Sequence, residues 1–463
     1  MTTPIIIRES SHNGDSFTAS VQFGIHGVPY PITVNNPHLP EKEQQLEWYF
    51  EEWLKFPFTD KVRAEDAAKS IRAYGESLFA QVFRSNPDIY HEYQQLREED
   101  FLLEIVGSPE FHALHWEALR DPNQSRPLAV DKPVVRKNSK SVSYRAKVQS
   151  APQLRVLLVT ARPSGKRDVS YRTISRPLVE ALETGKVAAQ IDIVRPGSFK
   201  ALVNHLEEIR DQHGDGYYHI LHLDMHGGLL THEEYQKFAK GRGVPSRYLL
   251  RSGEYAQQPI EPYTGHRAFL FFEDEEETEG GGVAVSADDL ANLLNMRQIP
   301  IVVLNACQSG KQVGETESSL GSRLISAGVQ LVVAMGYSVT VSAARLLMTT
   351  LYQQLLEGRD PSVAIRRARL ELFNDKRRQA AYNQEIALED WVLPVIYQNE
   401  PPDLTFSGTD AGTDRTDNSY APPKSTYGFV GRDIDILQIE RHLLNHRNVL
   451  LIQGMGGAGK TTL

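Results

Sequence analysis

After about residue 150, the hydrophobic positions of the chain alternate between two spacings. Short continuous apolar runs, typical of buried parallel strands, are separated by amphipathic segments whose apolar residues recur at helical spacing. The predicted strands are 155–160, 191–194, 217–225, 268–272, 300–305, 330–335 and 391–397. The predicted helices are 175–184, 199–213, 286–296, 320–327, 342–357 and 361–374. Because such alternation favours right-handed crossovers, it predicts an α/β fold with a mainly parallel sheet flanked by helices.

The first 145 residues have a less regular pattern, which we interpret as an α+β region. Its strand-like and helix-like segments are 17–23, 29–34, 41–53, 64–83 and 101–106. The polar, basic stretch 137–153 is interpreted as an exposed linker. Residues 399–426 are rich in Pro, Gly, Thr, Asp and Ser, which indicates a flexible domain linker. We therefore divide the chain into 1–145, 146–398, 399–426 and 427–463.

Composition and charge exclude several classes of protein. The formal charge of −9 gives no support to nucleic-acid binding. No apolar run approaches the ~18 residues of a membrane helix, so no membrane partner is expected. The N-terminus lacks a secretory signal, and one cysteine argues against a disulfide-stapled protein. We expect a cytoplasmic protein.

The single cysteine is the first candidate for chemistry. Cys307 lies in the run 305–310, Asn-Ala-Cys-Gln-Ser-Gly, which directly follows the predicted strand 300–305. A lone cysteine cannot form a multi-cysteine metal site, and we predict no metal ligands. A free cysteine at a strand end is usually a small buried hydrophobe, and that alternative stays open.

A histidine ends another predicted strand upstream. The run 217–228 finishes in Asp-Met-His-Gly-Gly, which places His226 and Gly227 after apolar residues. Neighbouring parallel strands end at one sheet edge, where Cys307 would act as nucleophile and His226 as general base and acid. The backbone N–H groups of Gly227 and Cys307 would hold the oxyanion.

Three further polar features lie near these residues in the sequence. Asp224 could orient an imidazole or attract a basic substrate side chain. We interpret His222 as a hydrogen-bonded core histidine. The acidic run 273–279 is more typical of a solvated loop than of a site.

These residues resemble a known family. The His-Gly pair, the 305–310 run and the following 319–335 segment are similar to a CHAT domain, a caspase-like member of the separase, metacaspase and caspase clan of cysteine peptidases. The runs 116–119 (Trp-Glu-Ala-Leu) and 127–129 (Pro-Leu-Ala) resemble the lead-in of that domain, so the resemblance extends from about residue 100 to 398. It implies a caspase-like sheet, a Cys–His dyad and no cofactor for peptidase chemistry.

One detail departs from true caspases. Two residues, Gln308 and Ser309, separate the cysteine from the next glycine, whereas caspases have one. This spacing resembles that of metacaspases and separases, which cut after basic residues. The resemblance therefore implies a protein substrate that is cut after Arg or Lys rather than Asp.

The end of the chain resembles a second family. The run 454–461, Gly-Met-Gly-Gly-Ala-Gly-Lys-Thr, follows an apolar strand-like segment and matches a Walker A loop. With the run 429–433 it looks like the entry to an NB-ARC or NACHT-type STAND NTPase. The residues assigned to nucleotide binding are Gly454, Gly459, Lys460, Thr461 and Arg432. The resemblance implies ATP and Mg²⁺ as cofactors and oligomerisation through the NTPase module. Because this module is truncated at Leu463, we expect a longer full-length protein and very weak ATP binding by these 463 residues.

Three functions remain open from the sequence. The first is a cysteine endopeptidase effector that is regulated by the STAND module, with a role in prokaryotic defence or programmed cell death by analogy with the family. The second is a catalytically inactive caspase-like domain that serves as a scaffold for a signalling ATPase. The third is a general α/β hydrolase that uses cysteine, although the Gly-x-Cys-x-Gly elbow is absent from the sequence.

Overall fold

The computed structural model describes most of the chain. The described residues are 3–14, 16–139, 144–163, 189–240, 247–251, 254–258, 260–275, 282–305, 313–337, 339–404, 406, 439 and 453. The predicted helix 175–184, Cys307 and the predicted P-loop module lie outside these ranges, apart from residues 439 and 453 of the module. None of the helices within them is long and apolar enough to cross a bilayer.

Strands and helices alternate along the described chain. The strands are β1 (Thr3–Asn13), β2 (Ser16–Phe23), β3 (Tyr30–Asn35), β4 (Phe101–Gly107), β5 (Val134–Asn138), β6 (Leu154–Thr160), β7 (Ala189–Val194), β8 (Ile220–Asp224), β9 (His226–Leu230), β10 (Arg247–Arg251), β11 (Glu254–Gln258), β12 (Arg267–Glu273), β13 (Gly282–Ser286), β14 (Ile301–Asn305), β15 (Leu331–Met335), β16 (Arg377–Gln379), β17 (Glu385–Ala387) and β18 (Pro394–Gln398). The α-helices are α1 (Pro40–Glu51), α2 (Lys61–Phe83), α3 (Pro87–Leu96), α4 (Pro109–His112), α5 (Leu128–Asp131), α6 (Phe199–His213), α7 (His232–Lys240), α8 (Ala287–Met296), α9 (Val313–Ser326), α10 (Val341–Leu356) and α11 (Pro361–Asn374). Short 3₁₀ turns cover Trp53–Lys55, Trp116–Ala118, Ala381–Asn383 and Asp390–Val392.

One large sheet organises the described part of the chain. It has eleven strands in the order β3-β2-β1-β4-β5-β18-β15-β14-β8-β6-β7. The pairs β1–β2, β2–β3 and β15–β18 are antiparallel, and the remaining neighbours are parallel. The prediction of an α/β fold with a mainly parallel, caspase-like sheet flanked by helices is confirmed.

Helices cover both faces of the central strands. In β14, Ile301 and Val303 belong to one apolar core, whereas Val302 and Leu304 belong to the other. The first core includes residues of α2, α10 and α11, and the second includes residues of α6, α8 and α9. Because alternate side chains of a strand point to opposite faces, a strand covered on both sides is apolar at every position. This explains why the central strands appear as continuous apolar runs.

The large sheet also includes the N-terminal region. Strand β5 pairs with β4 on one side and with β18 on the other, so the sheet passes through the boundary that we drew at residue 145. Buried Arg136 of β5 donates a hydrogen bond to the Tyr397 hydroxyl of β18 at 3.2 Å, and it forms an ion pair with Glu117 at 2.5 Å. The α+β region and the alternating part therefore share one sheet.

Several predicted boundaries were wrong. Strand β18 begins at Pro394 rather than at residue 391, because Asp390–Val392 form a 3₁₀ turn. Helix α9 begins at Val313, seven positions before the predicted start at 320. The extra strand predicted at 268–272 exists as β12, but it belongs to a separate three-stranded sheet in the order β13-β12-β9.

Candidate active site

Three parallel strands end together at one edge of the large sheet. Asp224, the last residue of β8, is in register with Thr160 at the end of β6 and with Asn305 at the end of β14. Strands β8 and β14, which the sequence predicted to precede the histidine and the cysteine, are therefore adjacent and parallel. The carboxyl edge of such a sheet is where α/β proteins bind their ligands.

The chain leaves the large sheet immediately after Asp224. Met225 is buried, and the next residue, His226, begins β9 opposite Phe271 of β12 in the three-stranded sheet. The half-buried His226 thus lies where the chain passes from one sheet to the other. Strand β8 ends at Asp224, one residue before the predicted end at 225, because the chain changes sheets here, and it begins at Ile220 rather than at 217.

Gly227 follows within β9 and packs tightly against a helix. A Cβ atom at this position would lie 2.7 Å from Cδ2 of Leu320 in α9, closer than nonbonded carbon atoms approach. A side chain at this position would therefore require the Leu320 side chain or one of the two elements to shift. The role of the Gly227 N–H as an oxyanion donor stays a prediction.

Asp224 is buried and forms an ion pair. Its Oδ2 accepts a hydrogen bond from Nη2 of Arg162 at 2.8 Å, and its backbone oxygen accepts one from Nη1 at 2.8 Å. Burial raises the pKa of the Asp224 carboxyl, while the nearby Arg162 guanidinium and His226 oppose that rise. The carboxylate thus already has a positively charged partner, and its role in orienting an imidazole or in attracting a basic substrate side chain stays a prediction.

Arg162 was not identified from the sequence. It lies two residues after β6 and is almost fully buried, although arginine is rarely buried unless it is paired. Its backbone N–H donates to Oε1 of Glu273 at 2.9 Å. The only signal in the sequence was an arginine directly behind an apolar strand that ends at the predicted ligand-binding edge.

The acidic run 273–279 is not solvated at its first residue. Glu273 is the last residue of β12 and is buried, because its carboxylate faces the backbone of Arg162. Asp274 and Glu275 are half-buried, and residues 276–279 lie outside the described ranges. The preference for Arg or Lys, which rested in part on Asp224 and on this run, stays a prediction.

His222 lies in the core of β8, as predicted. It is fully buried, and its Nδ1 lies 2.9 Å from the Tyr352 hydroxyl of α10. Burial lowers the pKa of His222 to about 4, so the ring is neutral at physiological pH. This environment is that of a structural histidine.

The remaining predicted site residues lie outside the described ranges. Cys307 is one of them, and the residues assigned to nucleotide binding are the others: Gly454, Gly459, Lys460, Thr461 and Arg432. Within the ranges that the structure describes, no cluster of three or more His, Cys, Asp or Glu residues is arranged to hold a metal ion.

Comparison with protein-family models gives a match to the CHAT domain over residues 72–416. The chain belongs to the CHAT domain family. The CHAT match begins within α2, includes the Trp116–Ala118 turn and extends beyond β18, so it covers most of the large sheet. The CHAT domain is related to caspase-like cysteine peptidases. Comparison with curated proteins finds no match for this CHAT protein.

Proposed function

We propose that this CHAT protein is a cysteine endopeptidase that uses Cys307 as nucleophile and His226 as general base and acid. The register between β8 and β14 carries the proposal. Asp224 and Asn305 are opposite each other, and His226 and Cys307 each follow that pair by two residues. Because His226 and Cys307 are equally far along the chain from this registered pair, the imidazole and the thiol are expected to meet at the sheet edge.

In the proposed mechanism, His226 accepts the proton of the Cys307 thiol, and the resulting thiolate attacks the carbonyl carbon of the scissile peptide bond. The tetrahedral oxyanion would be held by the N–H groups of Gly227 and Cys307, each contributing on the order of 3 kcal/mol. Collapse breaks the C–N bond while protonated His226 gives its proton to the leaving amine. Water, deprotonated by His226, then attacks the thioester and releases the carboxylic acid, which regenerates the thiol.

The charges around His226 support this role. The carboxylate of Asp224 interacts electrostatically with the imidazole and favours its protonated form. Arg162 reduces that effect, since its guanidinium binds the same carboxylate. Histidine is the side chain that most often serves as a general acid and base near neutral pH, and this is the role that we propose for His226.

The proposal is tested by labelling with a peptidyl electrophile that reacts with catalytic thiolates. We expect one label on Cys307 in the wild type, none in Cys307→Ala and much slower labelling in His226→Ala. His266→Ala is the matched control because His266 is an exposed histidine on the connection before β12. If Cys307 reacts no faster than a free thiol in a denatured chain, the peptidase proposal fails and the inactive scaffold is favoured.

The proposed substrates are proteins cut after Arg or Lys. The Cys-x-x-Gly spacing at 307–310 supports this preference. Fluorogenic peptides that differ only in the residue before the scissile bond provide the test. A preference for Asp would reverse the assignment.

We also propose that nucleotide binding regulates the peptidase through a STAND-type module, in a defence or cell-death response. The Walker A match at 454–461 supports this part of the proposal. In a chain that contains the whole module, ATP should change the rate of peptide cleavage, and Lys460→Ala should abolish the change. If ATP changed the cleavage rate equally in the wild type and in Lys460→Ala, control by nucleotide binding at this loop would be contradicted.

A further inference from the structure

A single guanidinium holds the end of strand β8. The side chain of Arg162 donates to Asp224 twice, to the backbone oxygen through Nη1 and to the carboxylate through Nη2, each at 2.8 Å. Nη1 also donates to the backbone oxygen of Ala161 at 3.0 Å. Arg162 therefore constrains both the main chain and the side chain of the residue after which the chain leaves the large sheet.

The other side of the turn is held by the three-stranded sheet. His226 pairs with Phe271 of β12, and two residues later β12 ends at Glu273. The Glu273 carboxylate accepts a hydrogen bond from the backbone N–H of Arg162. The backbone N–H of Glu273 donates a hydrogen bond to the backbone oxygen of Gly197 at 2.9 Å. The contacts thus form a closed ring from β6 to β8, through the turn to β9 and β12, and back to Arg162.

We propose that Arg162 is a positioning residue for His226: it fixes the turn Asp224–His226 and so sets where the imidazole lies at the sheet edge. This inference rests on the proposed function of His226. Arg162 acts through Asp224 and has no assigned contact with substrate. The planar guanidinium reaches a carbonyl and a carboxylate at once, which a lysine ammonium cannot reproduce with the same geometry. A misplacement of about 1 Å at a reacting group can lower the rate about 100-fold.

The test compares Arg162→Gln and Arg162→Lys with the wild type in kcat, KM and the NMR resonances of the His226 ring. Arg162→Gln should lower kcat about 100-fold, with KM changed by no more than about two-fold because substrate binding is retained. Arg162→Lys should recover part of kcat, since it keeps the charge. In both variants the ring resonances of His226 should shift or broaden.

The matched control is Arg378→Gln. Arg378 is equally buried and forms a two-bond ion pair with Asp390 at 2.6 and 2.8 Å, but it lies on β16, outside the large sheet. This variant should lower the melting temperature without changing kcat or the His226 resonances. Equal losses of kcat in Arg162→Gln and Arg378→Gln, or unchanged His226 resonances in both Arg162 variants, would overturn the inference.

The test also covers a variant that does not fold and a wild type that cleaves no peptide. If Arg162→Gln does not fold, Arg162→Lys decides by the same measurements, because it keeps a positive charge beside the Asp224 carboxylate. If the wild type cleaves no peptide, the proposed function fails, whereas the His226 resonances still decide whether Arg162 positions the ring.

Discussion

At the scale of single residues, Cys307 and His226 are expected to act as one unit. Cys307→Ala and His226→Ala should each abolish peptide cleavage, and the double variant should lose no more than either single variant, since either loss disables the same step. Cleavage rates, with circular dichroism to show that the fold is retained, provide the measurement. Full activity in Cys307→Ala would place the nucleophile elsewhere or indicate a contaminating peptidase.

The buried His222 predicts a loss of stability in acid. The pKa of His222 is about 4 in the folded protein, whereas the ordinary value of a histidine is 6.5. Between these two pH values the ring is protonated in the unfolded chain but not in the folded protein. The free energy of unfolding should therefore fall as the pH decreases from about 6.5 to 4, by on the order of 3 kcal/mol from this group. His222→Asn should reduce the fall, as measured by urea denaturation at several pH values. The exposed-site control His266→Asn should leave the fall unchanged, and an equal fall in wild type and His222→Asn would contradict the prediction.

The candidate site could be predicted in part from its sequence. Asp224 and His226 were identified because they lie at the end of an apolar strand at a predicted ligand-binding edge, and because the His-Gly pair resembles that of CHAT domains. Arg162 and Glu273 were missed because their importance arises from a contact between residues more than a hundred positions apart. Local patterns carry no information on which strand ends meet. The sequence predicted a solvated loop at Glu273 because its contact with Arg162 cannot be inferred from local patterns.

At the scale of elements, the contact between β9 and α9 depends on a glycine. Gly227→Ala would place a methyl group 2.7 Å from Cδ2 of Leu320, so the Leu320 side chain, β9 or α9 must shift. We expect the free energy of unfolding to decrease by about 1–3 kcal/mol. Urea denaturation of Gly227→Ala, Leu320→Ala and the double variant measures the interaction. The added methyl should cost less in the Leu320→Ala background, and an equal cost in both backgrounds would show that Leu320 does not limit the space.

Elements with clear end signals were predicted best. Helix α8 was predicted from Ser286, whose Oγ accepts the backbone N–H of Asp289 at 3.1 Å, and α11 from Pro361 in its first turn. Strand β1 was missed because only its first half is buried and its second half is polar and exposed. Strand β5 was missed because the charged Arg136 occupies a core position, where Glu117 compensates it. Pairing with distant residues determines both strands, and apolar periodicity does not report such pairing.

At the scale of the whole molecule, the shared sheet predicts cooperative unfolding. One apolar core includes Trp116 of the N-terminal region together with Leu347 of α10 and Leu372 of α11. Residues 3–398 should therefore unfold in a single transition. Calorimetry on this fragment should give equal calorimetric and van't Hoff enthalpies. Two resolved transitions would show that the N-terminal region is an independent folding unit.

The same sheet predicts the result of removing residues 1–145. That deletion would expose the edge of β18 that now pairs with β5, and it would remove Arg136, whose guanidinium donates a hydrogen bond to the Tyr397 hydroxyl. Unpaired strand edges promote aggregation. We expect the remaining fragment to be insoluble or only partly folded, as assessed by size-exclusion chromatography and circular dichroism. A monomeric fragment with a sharp melting transition would contradict this expectation.

Because β9 pairs with β12, the segment that connects the two strands can be replaced by a different one. Leu230 is opposite Arg267, so both ends of the segment 231–266 are fixed at neighbouring points of one antiparallel ladder. A replacement segment of different length or composition would still begin after β9 and end before β12. A longer loop adds little to the free energy of loop closure. The packing to be replaced is local, such as Tyr235 of α7 on Phe269, with ring centroids 5.1 Å apart. Protein engineering can thus diversify this segment beside the histidine while β9 keeps its pairing with β12.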